Sequence, residues 1–317
     1  MSLTIDLSLV KKSLYDNAKE EIIKDYGLQG NYNNPEELSA ALLDALRQTP
    51  AVDPLAEKYS NYKVFEAAAR SIGSNARKWS TFVRNEGMLC TTLHQYNPSH
   101  VVMNNVQPAT IMCFLPGQSQ KRDSEGIVAW ANILNNVQDY YSKVIIPVAH
   151  LLRESVGNSL TIPHLMLYLV AFFGSEPGIW RNSSIISALR KILPASLMLE
   201  TPYNNKWKFK GMMYALGAEF LRNLGWSGFK VDRHIMRLFK LWLQNNNVDD
   251  THRDVTRFLE CFHIDASEEL RSYIYYSMLG MKMSPQGIEY SHVDNLVWAL
   301  GAYVEKKGKE SGIRYLN

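Results

Sequence analysis

Apolar residues recur three, four and seven positions apart along most of this chain, the spacing of one face of an α-helix, and strict alternation is nearly absent. From Leu38 to Leu46 the stripe comprises Leu38, Ala41, Leu42, Ala45 and Leu46. Asn34-Pro35-Glu36-Glu37 in front of it reads as a helix start, with Asn at the cap, Pro at the first helical position and acids facing the macrodipole. Similar stripes predict helices over 64–84, 125–153, 185–193, 211–224, 233–243, 252–262, 267–279 and 292–305. The apolar run His164 to Phe173 has about half of the ~20 residues a membrane helix needs, which predicts a buried helix instead. Only His100 to Leu115 is rich enough in β-branched residues to suggest a few short strands. No repeat of solenoid length is present. The polar stretch Gly117 to Gly126 divides the chain into an N-terminal helical region, 1–120, packed on a core, 121–317.

Composition narrows the class. With 317 residues, 46% hydrophobic and 21% charged, the chain can bury a sizeable core. The N-terminus carries no signal-peptide pattern, and three isolated cysteines, Cys90, Cys113 and Cys261, fit a reducing, cytoplasmic setting better than a disulfide framework. The eight histidines are scattered, with no HExxH or paired zinc spacing, so neither metal nor cofactor is expected. There is no Walker loop, dinucleotide fingerprint or nucleophile elbow.

Charge is unevenly placed. The window 206–240, KWKFKGMMYALGAEFLRNLGWSGFKVDRHIMRLFK, holds Lys206, Lys208, Lys210, Arg222, Lys230, Arg233, Arg237 and Lys240 against Glu219 and Asp232, a local balance of +6 in a chain of net +3. Cations concentrated in this way suggest a footprint for a phosphate backbone. Within the window, Gly211 to Leu224 predicts a helix ended by Gly225, Trp226 to Phe229 a turn, and Asp232 the N-cap of the next helix.

EFLRNLGW followed by VDRHIMRLF resembles the corresponding stretch of the helix-hairpin-helix DNA glycosylases, above all the archaeal 8-oxoguanine DNA glycosylases. The resemblance implies an all-α, two-lobed fold in which a tight turn offers backbone N–H groups to a DNA phosphate. It further implies a catalytic lysine near the start of the second hairpin helix and a catalytic aspartate, here Asp232, after it. Taken alone, Asp232 reads as a plain helix cap.

The lysine can be placed in two registers. On the family's common pattern, Leu-Pro-Gly-x-Gly-x-Lys, Ala215 falls at the lysine position and Met213 replaces the second glycine, which implies base removal without a Schiff base. On the divergent archaeal pattern, Lys210 begins the helix as KGMMYAL, and the i, i+4 spacing places Tyr214 on its face. SHVDNLVWALG, Ser291 to Gly301, also resembles the terminal helix of that archaeal branch, favouring the second register. Its Asp294 and Trp298 are again i, i+4, a carboxylate to accept from a purine edge and an indole to stack on it. The same residues also suit a capping pair of Ser291 with Asp294, and a Trp298 packed among Val293, Leu296, Val297 and Leu300. Telling 8-oxoguanine from guanine requires an acceptor for its N7–H, which no sequence pattern identifies here. Trp130 is a further candidate for stacking.

The chemistry expected from Lys210 is nucleophilic. An unperturbed lysine has a pKa of about 10.4, and nearby Lys206 and Lys208, together with partial burial, lower it. Asp232 would stabilise positive charge on the sugar or help deprotonate the attacking group. The expected activity is therefore a base-excision glycosylase with associated lyase activity on an oxidised purine. Lys210 and Asp232 are its catalytic residues; Tyr214, Asp294 and Trp298 contact the base; Lys206, Lys208, Gly211 and Arg233 contact the backbone. The expected partner is double-stranded DNA with a damaged base, engaged by a monomer, with no membrane involved and nucleoid association when DNA is bound. Two alternatives remain: a monofunctional glycosylase for alkylated or deaminated bases, and a non-catalytic helix-hairpin-helix binding protein. A second partial match, Gly225 to Lys230 with Asp249 or Asp250, would abandon the better-matched EFLRN segment.

Overall fold

Side-chain caps and prolines start the first helices. Asp6 Oδ1 accepts from the backbone N–H groups of Ser8 and Leu9 at 3.0 and 3.1 Å and opens α1, Leu7–Tyr26. Asn34 Oδ1 accepts from Glu37 N–H at 2.9 Å, with Pro35 at the first position of α2, Pro35–Ala45. A computed structural model describes residues 3–47, 49–157, 160–174, 183–193, 208–245, 251–262, 266–306 and 315–317. The protein is mostly helical, and a single antiparallel bridge between Ile5 and Leu316 is the β-pairing among the described residues.

Two expected long helices are each broken in two. The 64–84 stripe divides into α3, Asn61–Gly73, and α4, Trp79–Thr92, with Ala76 at φ +52 between them. Arg77 occupies the break: its guanidinium donates to the carbonyls of Ile72 and Gly73, satisfying the end of α3. It also pairs at 2.6 Å with the fully buried Asp123, which accepts from Asn75 and Ser119 as well. The 125–153 stripe divides into α7, Gln120–Asn136, and α8, Ile146–Val156, joined through a π-helical turn at Tyr141–Ile145. Asn61 fills this second break, donating to the carbonyls of Leu134 and Val137 and accepting from Tyr140 N–H. In both cases a polar side chain, Arg77 from within the break and Asn61 from α3, supplies hydrogen bonds that the helix would have made by continuing, which apolar spacing cannot reveal.

The strands expected between His100 and Leu115 are helices. Asn97 caps α5, Pro98–Met103, with Oδ1 accepting from His100 N–H at 3.1 Å, and Pro108 opens α6, Pro108–Met112. Of their β-branched residues, Val101 and Ile111 are buried, and both short helices pack on α7. Proline at the first helical position outweighs local β-propensity here. Further along the chain lie α9, Ile162–Phe173, α10, Ser183–Ile192, α11, Tyr214–Arg222, α12, Arg233–Asn245, α13, Thr251–Phe262, α14, Glu268–Met283, and α15, Tyr290–Ala299, which runs into a π-helical turn at Leu300–Val304. The apolar α9 is buried from Leu165 to Phe173, as its composition predicts. No described helix is long and apolar enough to cross a membrane.

The chain forms two compact units, and they divide it near residues 50 and 226 rather than at 120. The first unit comprises 1–50, 227–256 and 271–317, and the second 51–226 and 257–270. The polar stretch Gly117 to Gly126 is internal to the second unit, where α7 packs on α3, α5 and α6. In the first unit, α1 packs on α2, on α15 and on the π-turn that follows it. Backbone hydrogen bonds of 3.0 and 2.9 Å between Thr4 and Asn317 join the described ends of that unit.

Candidate functional site

The second unit contributes the turn in front of α11. The helix begins at Tyr214, so Lys210 and Gly211 precede it and lie in a turn, with Gly211 at φ +73, a conformation that favours glycine. Lys210 therefore does not share a helical face with Tyr214, contrary to the i, i+4 expectation. The Lys210 amine is half-buried, and its pKa is lowered first by burial and then by the charge of Lys208. Both causes were expected from sequence, and burial is the larger. Lys208 places its Nζ 3.8 Å from Met213 Sδ. Lys206, the other expected cation, lies outside the described residues, as do Asp249 and Asp250.

Tyr214 is buried, 6% exposed, and its ring packs on the backbone of Gly174, where an added Cβ would stand 2.6 Å from a ring carbon. Trp130 is 0% exposed and lies among Tyr140, Phe209 and Phe220, so it is a core residue here and presents no stacking face. The end of α11 follows the sequence closely. Gly225 at φ +78 donates to Arg222 O at 2.9 Å and Trp226 N–H to Leu221 O at 3.1 Å, the paired bonds of a Schellman motif.

The first unit contributes the remaining candidates. Asp232 Oδ1 accepts from the backbone N–H groups of His234 and Ile235 at 2.8 and 3.1 Å, so the carboxylate caps α12. Arg233, the first helical residue, is exposed. His234 is half-buried, and its pKa is pushed down mainly by burial, against the nearby Asp232 charge and with Arg233 and Arg237. Its ring stands edge-on to Trp298 at 6.3 Å, and Trp298 is edge-on to Tyr303 at 6.2 Å. The structure thus brings Trp298 to the start of the helix that Asp232 caps.

Trp298 lies beside, not within, the fully buried stripe Val293, Leu296, Val297 and Leu300. Asp294 is 0% exposed. The cap position of α15 falls on Glu289, not Ser291, so the capping pair expected of Ser291 with Asp294 does not mark the helix start. Arg237, which sequence reasoning assigned only to the charge count, donates to the carbonyls of Gly301 and Glu305 at 2.5 and 2.9 Å and secures the π-turn after Trp298. Gly301 is the signal that could have found this turn: a Cβ there would meet the His234 Cβ at 3.2 Å.

Among the described residues, no group of three or more His, Cys, Asp or Glu could hold a metal ion. No family model, curated protein or solved structure matches this chain.

Proposed function

We propose that this protein is a helix-hairpin-helix DNA glycosylase of base-excision repair that removes an oxidised purine, 8-oxoguanine, and then nicks the strand with Lys210 as nucleophile. The observation that carries this proposal is the state of Lys210: an amine half-buried in a glycine turn at the head of a helix, held toward its neutral form by burial and by Lys208. A neutral amine can attack C1′ of the damaged nucleotide, forming the C1′–N bond as the base departs with the glycosidic electron pair and takes up a proton. Ring opening gives the Schiff base, which acidifies the C2′ proton, and its removal expels the 3′ phosphate by β-elimination. Asp232 is assigned to stabilise cationic charge on the sugar, Trp298 to stack on the base, Asp294 and Tyr214 to contact the base, and Lys206, Lys208, Gly211 and Arg233 to hold phosphates. The partner would be double-stranded DNA bound by a monomer in the cytoplasm, with the protein on the nucleoid while engaged.

One observation favours a second proposal. Because α11 begins at Tyr214, Ala215 and not a lysine stands in its first turn, as in a monofunctional glycosylase for alkylated or deaminated bases that activates water instead.

Labelled duplexes containing 8-oxoguanine, uracil or an alkylated adenine, incubated with and without borohydride, separate the two. Nicking and a trapped adduct on 8-oxoguanine, both lost in Lys210→Gln, are the expected result. Base release with an intact strand and no adduct would move the assignment to the monofunctional enzyme. Inertness on every lesion would leave a binding protein.

A further inference from the structure

The turn that carries Lys210 is anchored at three successive residues. Phe209 donates its N–H to the Phe173 carbonyl at 3.0 Å, and the two rings stack at 4.2 Å and 9°. The Lys210 carbonyl accepts from the indole Nε1–H of Trp130 at 2.9 Å. Gly211 meets Gly126 backbone to backbone: a Cβ on Gly126 would stand 3.0 Å from Gly211 Cα, and a Cβ on Gly211 would stand 3.1 Å from Gly126 Cα. Ile72 closes the same contact from α3, its Cδ1 lying 3.3 Å from the Cβ that Gly211 lacks.

Two of these residues, Gly126 and Trp130, are one turn apart on α7 and therefore on one face. Glycine inside a helix lowers its stability relative to alanine, and the close backbone approach accounts for its presence at 126. A buried indole N–H needs an acceptor, and here that acceptor is the lysine's own carbonyl.

We infer that Gly126 and Trp130 are positioning residues for Lys210, clamping its backbone so that the amine stays half-buried and oriented for lysine chemistry. This inference rests on Lys210 being the nucleophile proposed above. Burial and Lys208 both push the amine toward its neutral form. Of the two carboxylates on the same helix as the clamp, Asp123 is engaged by Arg77, Asn75 and Ser119, and Glu125 is exposed. A looser turn would hydrate the amine and return it toward an ordinary lysine.

Two variants of the full chain test the clamp: Trp130→Phe, which keeps a ring but removes the donor, and Gly126→Ala, which adds the excluded Cβ. Competitive acetylation followed by mass spectrometry gives the titration midpoint of Lys210 from neutral to alkaline pH, with Lys208 as internal control and without any DNA. In the intact protein the Lys210 midpoint is expected below the ordinary lysine value, and in both variants it should rise toward that value. Unchanged midpoints in folded variants, even with a lowered Tm, would overturn the clamp and make both residues mere core. Should neither variant fold, hydrogen exchange of the Trp130 indole in the unaltered protein decides: protection supports the bond to Lys210, and exchange at the rate of free indole overturns it. Borohydride trapping is run in parallel. A midpoint shift without trapping would leave the clamp standing and retire the lyase function, whereas trapping without a shift would do the reverse.

Discussion

His234 is held toward its neutral form chiefly by burial, and this fixes the sign of a pH effect. Its folded pKa lies below the unfolded value of about 6.5, so the unfolded chain binds the proton more readily. Its contribution to stability is therefore present above about pH 6.5 and is lost as pH falls from there through the folded value. Thermal melts of His234→Gln between about pH 7 and pH 5 should show a shallower fall of Tm than the unaltered protein. Parallel slopes would mean that His234 gives up its proton as easily folded as unfolded. Lys210 follows the same sign at alkaline pH, its buried cation costing stability until pH rises through its folded pKa. At this scale the sequence was most informative for residues whose surroundings are local: the cations near Lys210 are its chain neighbours. It was least informative for Tyr214 and Trp130, whose burial depends on Gly174 in one case and on Phe209 and Phe220 in the other.

Elements were legible where their signals are carried by adjacent residues. Asn34-Pro35 starts α2 and Gly225 ends α11 as the sequence predicts, because cap, proline and left-handed glycine act within one turn. The breaks at 74–78 and 137–140 were illegible because Arg77 and Asn61 satisfy them from outside the apolar pattern. Asp232 stands between these cases, since a carboxylate at a helix start suits both a cap and a catalyst. Substitution separates the roles. Asp232→Ala removes the acceptor for His234 and Ile235 N–H and should cost about 1 kcal/mol of stability. Asp232→Asn keeps an acceptor oxygen, so its Tm should stay near that of the unaltered protein while base release falls by at least about 100-fold if the charge acts on the sugar. Equal activity of Asp232→Asn and the unaltered protein would reduce Asp232 to a cap.

For the whole molecule, the informative quantity is how little net charge accompanies so much local charge. The chain is +3 while the 206–240 window is +6, so the remaining residues sum to −3 and the proposed hold on DNA is assigned to that window. The window is itself divided between the two units at 226/227, with Lys208 in one and Arg233 in the other. Several of its cations are committed elsewhere: Arg237 to the π-turn carbonyls and Arg222, buried, alongside Glu219 at 3.7 Å. Of the other cations, Lys206, Lys208 and Arg233 are the proposed phosphate ligands, which predicts a slope of log affinity against log salt of roughly −3, since each neutralised phosphate contributes about −0.9 on duplex DNA. Lys208→Ala should weaken binding to matched and lesion-bearing duplexes alike and flatten the slope by about one. Fluorescence anisotropy of a labelled duplex across a salt series measures both. A slope near −7 would mean that all the cations of the window bind phosphate, Arg222 leaving Glu219 and Arg237 leaving its carbonyls, whereas an unchanged slope in Lys208→Ala would remove the turn before α11 from the DNA interface and with it the proposed placement of Lys210.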